Sequence, residues 1–381
     1  MSITDITVYE FQPLWLTIDR IGPFQGTPYE IDFTDAKDKP CNMFLLMSEN
    51  GRGKTTVLDI IACFMGLLDQ EAPKKFGQEE LDEGEGRAQL DILTRIHWQG
   101  SDHRIVLSIL GGEIGDKTVL KAWSADDMEK YDASSWHRTG FRRRVPGRLE
   151  LIGRHDELVQ DLVSVIQNNR HFVQEGLESS ALSLPTALYF PAYRDIPEIR
   201  DPERAIVQPD HWGYKALHSF SAHGTHWTAS LDNLMVWLKW LDNGSFERAL
   251  KIVNDVVFKE YPDKYLKGIR RNPPEAVVIN GGQEHRLDRL SSGEKNLTQL
   301  FLRIGAHLTR NTLVLTDELD VHLHVRWQHK VLNQMKELVR RQPGTTLIAA
   351  THSVEILTAF PIDIKEKGLV KGGWIIEEKL Y

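Results

Sequence analysis

A short apolar strand that runs directly into a glycine-rich loop and then a helix constrains this chain more than any other feature. Cys41-Asn42-Met43-Phe44-Leu45-Leu46-Met47 leads into Ser48-Glu49-Asn50-Gly51-Arg52-Gly53-Lys54-Thr55-Thr56, and Val57-Leu58-Asp59-Ile60-Ile61-Ala62 continues as a helix. In that context Gly51 and Gly53 let the backbone curl so that several amides point at one anion, backed by the positive end of the helix. Lys54 supplies a point charge for the β- and γ-phosphates, and Thr55 a hydroxyl ligand for Mg²⁺. The pattern implies ATP with Mg²⁺ as the ligand, held by Asn50, Gly51, Gly53, Lys54, Thr55 and Thr56. Such a loop usually begins with glycine; Ser48 stands there, where an unusual backbone conformation would suit a side chain poorly.

Two later motifs extend the site. Leu313-Val314-Leu315-Thr316-Asp317-Glu318 reads as a buried strand ending in two carboxylates. A strand terminus places them at the ligand-binding edge of a sheet, with Asp317 holding the Mg²⁺ shell through water and Glu318 polarising the attacking water. Arg326 to Arg340 reads as a helix and Thr345–Ala350 as a second strand, so the unit is a parallel crossover. It brings His352 to the edge that carries Asp317, as a γ-phosphate contact. Upstream, Leu290-Ser291-Ser292-Gly293-Glu294-Lys295 precedes the helix Glu294–Leu308, so hydroxyls and amides gather at a helix N-terminus. Ser291, Ser292 and Gly293 thus form a second anion site, which one chain does not need for one nucleotide. A head-to-tail pair does need it, and Asp320 suits a loop that crosses to the partner.

Organisation along the chain is α/β. Residues 14–33 alternate as strands, with Leu14, Leu16 and Ile18 on one face and Tyr29, Ile31 and Phe33 after a Gly/Pro turn. Residues 69–87, rich in Glu79, Glu80, Asp82, Glu83 and Glu85, read as a mobile surface loop, and 88–96 and 104–110 as further strands. The expected division is an N-terminal lobe over 1–124 with the phosphate loop and an antiparallel β subdomain, a mainly helical insertion over 125–275, and a C-terminal lobe over 276–381. Leu231, Leu234, Met235, Leu238 and Leu241 mark one apolar helix face within the insertion.

Composition sets limits. A net charge of −8 over 381 residues excludes a molecule that is basic as a whole, so any nucleic-acid contact must use a local patch. The N-terminus lacks a signal pattern and no apolar run nears the ~20 residues that span a bilayer, which implies a cytoplasmic chain without a membrane partner. The two cysteines, Cys41 and Cys63, lack metal-ligand spacing, and Cys63 sits in an apolar run that implies a buried, reduced thiol.

Taken together, the loop Ser48–Thr56 and the run Leu290–Ser353 resemble the ABC-type ATPase heads of the SMC and RecF class. The likeness is closer still to the AAA-like ATPases of OLD-family and Septu-type anti-phage systems. Asp317-Glu318-Leu319-Asp320-Val321-His322-Leu323-His324 followed by Trp327, and Ala349-Ala350-Thr351-His352-Ser353, are especially similar to that group's pattern. The family pattern usually has proline where Val325 stands and glycine where Ser48 stands. The resemblance implies a P-loop NTPase of two lobes with a mostly parallel core sheet, ATP sandwiched between two protomers, and a glutamine-bearing loop drawn from Gln89, Gln160 or Gln167. It also implies a homodimer or higher oligomer whose hydrolysis controls a separate effector in anti-phage defence, because the chain ends at Tyr381 without room for the nuclease domain of OLD proteins.

Rival readings attach to other clusters. Arg138, Arg142, Arg143, Arg144 and Arg148, with Trp136 and Phe141, form either a phosphate-contacting patch, as in a RecF-like DNA clamp, or a basic loop against the acidic 79–85 segment. Trp227, Trp237 and Trp240 read as core or interface more than as base-stacking platforms. Arg194, after Tyr189-Phe190-Pro191, points to the nucleotide or a neighbouring subunit. Ser48 leaves open a scaffold that holds ATP without turnover. A transporter ATPase fits least, because Leu319–His324 lacks the usual Ser-Ala-Leu-Asp run.

Overall fold

A computed structural model describes residues 6–115, 118–145, 148–170, 182–199, 204–220, 226–321, 323–362 and 368–377. The N-terminal third holds β1 (Thr7–Asp19), β2 (Tyr29–Asp32), β3 (Met43–Met47), α1 (Lys54–Leu67), α2 (Glu79–Asp82), β4 (Arg87–Trp98) and β5 (Ser101–Gly112). The middle holds α3 (Ala125–Lys130), β6 (Ser135–Val145), β7 (Arg148–Ile152), α4 (Glu157–Asn168), β8 (Pro185–Phe190), β9 (Leu217–Ser219), α5 (Leu231–Leu241), α6 (Ser245–Val253), β10 (Lys264–Arg271) and β11 (Pro274–Asn280). The remainder holds β12 (Gln283–Arg286), α7 (Ser292–His307), β13 (Asn311–Thr316), α8 (Val325–Arg341), β14 (Thr346–Thr351), α9 (Val354–Ala359) and β15 (Lys371–Ile375).

The core sheet has the order β15-β3-β14-β13-β8-β9, and every neighbouring pair in it is parallel. A parallel sheet needs cover on both faces, and its strands here divide their side chains by the period of two. Phe44, Leu46, Ala187, Tyr189, Leu313, Leu315, Ile348 and Ala350 enter one core. Met43, Leu45, Leu188, Phe190, Val314, Leu347 and Ala349 enter the other. On the first face lies α1, buried along most of its length, and beyond it the sheet β2-β1-β4-β5-β6-β7, antiparallel except for β5 with β6. On the second face lie α5, α6, α7 and α8. The expected crossover is present: β13 and β14 are parallel neighbours joined by α8.

Two expectations change. Residues 125–275 do not form one helical unit: β6 and β7 extend the antiparallel sheet, β8 and β9 complete the core sheet, and β10 and β11 begin a separate three-stranded sheet. A parallel core strand such as β8 is buried on both faces, so its run Pro185–Phe190 carries no alternation that would separate it from a buried helix segment. The acidic stretch 69–87 is also folded rather than a loose loop. Leu81 of α2 is fully buried, Asp82 accepts from the backbone N–H of Phe76 and Gly77, and Glu80 accepts from Gly22 N at 2.9 Å.

Candidate functional site

Because the core strands are parallel and in register, β3, β14, β13 and β8 end at one edge, where Met47 pairs with Thr351 and Thr316 with Phe190. The loop after β3 turns through left-handed backbone at Gly51 (φ 79°) and Gly53 (φ 105°). A Cβ on Gly53 would lie 2.5 Å from the Phe24 ring and 2.8 Å from Pro23, so only glycine fits. Ser48 is not among the left-handed residues, so its side chain adds no strain there. It accepts from Lys54 Nζ at 3.2 Å instead.

Gly53 caps α1 with no side-chain bond, and the first turn carries no acidic residue. The leading N–H groups of the helix are therefore open to an anion. Lys54 is 6% exposed, and its ammonium donates to the carbonyls of Ser48 (2.7 Å) and Glu49 (2.9 Å). Burial lowers its pKa from the ordinary lysine value, against the pull of Asp317, Glu318 and Asp320.

Thr55 Oγ1 donates to Asp317 Oδ2 at 2.7 Å, across 262 residues of sequence. Two neighbouring ligands of an octahedral Mg²⁺ stand about 3 Å apart, so this pair fits a shared magnesium shell. Asn50, Gly51, Gly53, Lys54, Thr55, Thr56, Asp317 and Glu318 line one cavity of about 220 Å³. The chain thus brings together the phosphate loop, the metal-directed pair and the carboxylate that would face the attacking water. Glu318 itself sits at φ 43°, in the left-handed region that costs a non-glycine residue roughly 1–2 kcal/mol.

What holds Glu318 there is a residue whose role the sequence did not reveal. Arg194 is 3% exposed and turns into its own chain. Its Nη2 donates to Glu318 O (2.8 Å), its Nη1 to Asp317 O (2.5 Å), Pro191 O (2.9 Å) and Phe190 O (3.2 Å), and its Nε to Asn296 Oδ1 (3.0 Å). Burial lowers its pKa to about 10, opposed by the carboxylates of Asp317, Glu318 and Asp320. The signal was present in sequence only as an arginine shortly after a strand-like run; the partners that tie it to the site, Asn296, Asp317 and Glu318, lie more than 100 residues away.

His352 directly follows β14 with a half-exposed ring, its Nε2 3.4 Å from Asp320 Oδ2. Asp320 turns inward, contrary to its expected place on a loop crossing to a partner: it is buried and accepts from Thr351 Oγ1. Its carboxylate is drawn to the strand end that also carries the histidine, so it orients His352.

Ser291 and Ser292 are exposed, and no signature residue lines the phosphate-loop cavity. Ser291 N-caps α7 in a capping box: its N–H and hydroxyl donate to Glu294 Oε2 (3.0 and 2.9 Å), and its Oγ accepts from Glu294 N (3.4 Å). Glu294 also pairs with Lys264 at 2.8 Å.

The glutamines proposed for a nucleotide loop sit elsewhere. Gln89 is buried, donating to Asp91 (2.8 Å) and the Lys121 carbonyl (2.7 Å), while Gln160 and Gln167 lie on α4. In the arginine cluster, Arg142 pairs with Glu150 at 3.0 Å, and Arg143 donates to the carbonyls of Leu81 and Gly84 in the acidic segment. The Arg144 side chain lies outside the described residues. Trp227 is buried and donates to Ala205 O at 2.6 Å, Trp237 packs on Trp212, and Trp240 is 63% exposed. Cys41 and Cys63 are free thiols whose pKa values burial pushes up to about 12. Among the described residues no His/Cys/Asp/Glu cluster could hold a metal by itself, and no helix is long and apolar enough to cross a membrane.

The chain is 21% identical over 379 residues to the "Retron Vc95 probable ATPase" of Vibrio cholerae serotype O1 biovar El Tor, covering 83% of this chain and 67% of that protein. It is 26% identical over 137 residues to the "Retron Ec83 probable ATPase" of Escherichia coli, covering 33% of this chain and only 24% of the relative's length. Among solved structures, an SMC head bound to the C-winged helix domain of ScpA aligns over 91% of both chains at 14% identity, with a TM-score of 0.41. An ATP-binding cassette of an ABC transporter in its ADP conformation aligns over 91% of this chain and 84% of its own at 12% identity, with a TM-score of 0.32. Residues 94–358 match the family described as "AAA domain, putative AbiEii toxin, Type IV TA system", and the chain belongs to that family.

Proposed function

We propose that this chain is an ATP-driven switch: Mg-ATP closes a head-to-tail homodimer or higher oligomer, and hydrolysis through Glu318 reopens it. The observation that carries the reading is the single cavity in which Lys54, Thr55, Asp317 and Glu318 converge while the exposed signature stays outside it. Positioning and electrostatics do the chemistry. The ammonium of Lys54 and the open amides of α1 hold the phosphates, Thr55 and Asp317 would hold Mg²⁺, which would supply neutralisation of developing charge, and Glu318 orients the water. His352, steadied by Asp320, contacts the γ-phosphate from the neighbouring strand. Ser291, Ser292 and Gly293 of one chain close over the nucleotide of the other.

The output is control of a separate effector in anti-phage defence, a role supported by the resemblance to OLD-family and Septu-type ATPases and by relatives named as retron ATPases. A DNA clamp built on Arg142 and Arg143 has less support, since both are occupied within the chain. Phosphate release from ATP by Glu318→Gln tests the assignment. Turnover is expected to fall about 10²–10⁴-fold with ATP binding retained; unchanged hydrolysis would remove Glu318 from the mechanism.

A further inference from the structure

The two halves of the proposed machinery touch inside one chain through a single buried guanidinium. Asn296 stands on α7 just beyond the signature, and its side chain divides between two partners. Its Oδ1 accepts from Arg194 Nε at 3.0 Å, and its Nδ2 donates to Val321 O at 3.0 Å. On its other edge Arg194 holds the carbonyls of Asp317 and Glu318, the two residues whose carboxylates enter the ATP cavity. Among the described residues no carboxylate pairs with Arg194; carbonyl and amide oxygens bind the fork. A planar guanidinium cannot flex between such contacts. Displacement of α7 along its axis must therefore either break the Arg194–Asn296 bond or drag the peptide at Glu318, which is already in left-handed backbone.

We propose that Arg194 and Asn296 are positioning residues that transmit engagement of the signature by a partner's nucleotide to Glu318. This rests on the paired reading given above. When a γ-phosphate settles on Ser292 and Gly293, α7 moves, Asn296 carries Arg194 with it, and the Glu318 carboxylate is re-aimed at the water. The link explains how an exposed motif outside the cavity can govern a carboxylate inside it. It also assigns the charge of Arg194 to the chain's own backbone rather than to the nucleotide.

The experiment uses the full chain and five proteins: wild type, Arg194→Lys, Asn296→Ala, and Ser292→Arg with and without Asn296→Ala. Affinity for a fluorescent ATP analogue, KM, kcat and the dependence of kcat on protein concentration are measured for each. Arg194→Lys keeps the charge but not the fork. Both it and Asn296→Ala are expected to lower kcat about tenfold while leaving ATP affinity and KM within about threefold. Wild-type kcat should rise with protein concentration. Asn296→Ala should cost nothing further once Ser292→Arg has already blocked engagement, because the two act in one chain of contacts. If wild-type turnover depends on concentration but the two losses multiply, the link is wrong and the pairing stands. If wild-type turnover is independent of concentration, the pairing fails and the link with it. Should Arg194→Lys prove unfolded, Asn296→Ala alone decides, since an unchanged kcat there overturns the proposal.

Discussion

The helices α1 and α7 both begin with small residues at an edge where a phosphate could dock, yet their N-termini are built in opposite ways. At α1 nothing caps the helix, no acid lies in the first turn, and a lysine is buried beside carboxylates in a cavity assembled from distant parts of the chain. At α7 the helix is already capped by its own Ser291 and Glu294, and Glu294 is neutralised by Lys264. The first terminus carries donors that no side-chain cap meets. The second is electrostatically complete, so it can greet a phosphate only through the exposed hydroxyl of Ser292 and the amides around Gly293. Tight binding therefore belongs to α1, and α7 is suited to a weaker, conditional contact.

The strongest way to break this comparison is to damage the two termini in separate chains. Lys54→Ala and Ser292→Arg should each lower hydrolysis about 10²–10³-fold when assayed alone. Mixed in equal amounts, they should recover up to about a quarter of wild-type turnover, because each mixed pair rebuilds one site from an intact α1 and an intact α7. A mixture no more active than its parts would show that α7 does not serve the nucleotide of another chain. Equilibrium binding should separate the variants in the same experiment, with Ser292→Arg retaining ATP and Lys54→Ala losing it.

Smaller in effect but sharper in sign is Glu294→Ala. Removing this carboxylate dismantles the capping box and leaves Lys264 without its partner, at a cost of roughly 2 kcal/mol of stability. A lower chemical-denaturation midpoint with ATP affinity unchanged would place Glu294 in the helix rather than in the nucleotide site.

The same contrast explains what the sequence could and could not disclose. The strand β3, its loop and α1 are contiguous, as are β13, α8 and β14, and each follows from local pattern and turn chemistry. The period-two division of the core strands then brings Asp317 to Thr55 with no further information. Sequence points Arg194 to the nucleotide or a neighbouring subunit and Asp320 to a loop that crosses to a partner, and it carries no sign of the partners they take within the chain. Arg194 turned out to bind carbonyls 123 and 124 residues away, and Asp320 a threonine 31 residues away. Backbone acceptors are present at every residue and leave no mark in composition, so an arginine that binds them cannot be told from one that binds a ligand. The stretch 125–275 departs from its helical expectation for a related reason. Its strands complete sheets begun elsewhere, and a fully buried strand lacks the alternation by which an exposed one is known.

The last prediction concerns the lysine that makes α1 unlike α7. Burial lowers the Lys54 pKa in the folded chain relative to the unfolded one. Between the two values the unfolded chain binds more protons, so the stability of the nucleotide-free protein should rise as pH climbs through that window toward the ordinary lysine value of 10.5. ATP affinity should fall across the same window, because the ammonium that meets the phosphates is lost. Lys54→Met should remove both slopes, abolish ATP binding and raise the stability of the nucleotide-free protein by about 0.5–2 kcal/mol, as expected where a functional charge is held at the expense of the fold. Denaturation midpoints at two alkaline pH values, for wild type and Lys54→Met, measure the stability slope directly. A wild-type protein that loses stability over this range while Lys54→Met does not would mean that Lys54 is held by the loop carbonyls more strongly than it is penalised by burial. The bare terminus of α1 would then be as self-sufficient as the capped terminus of α7.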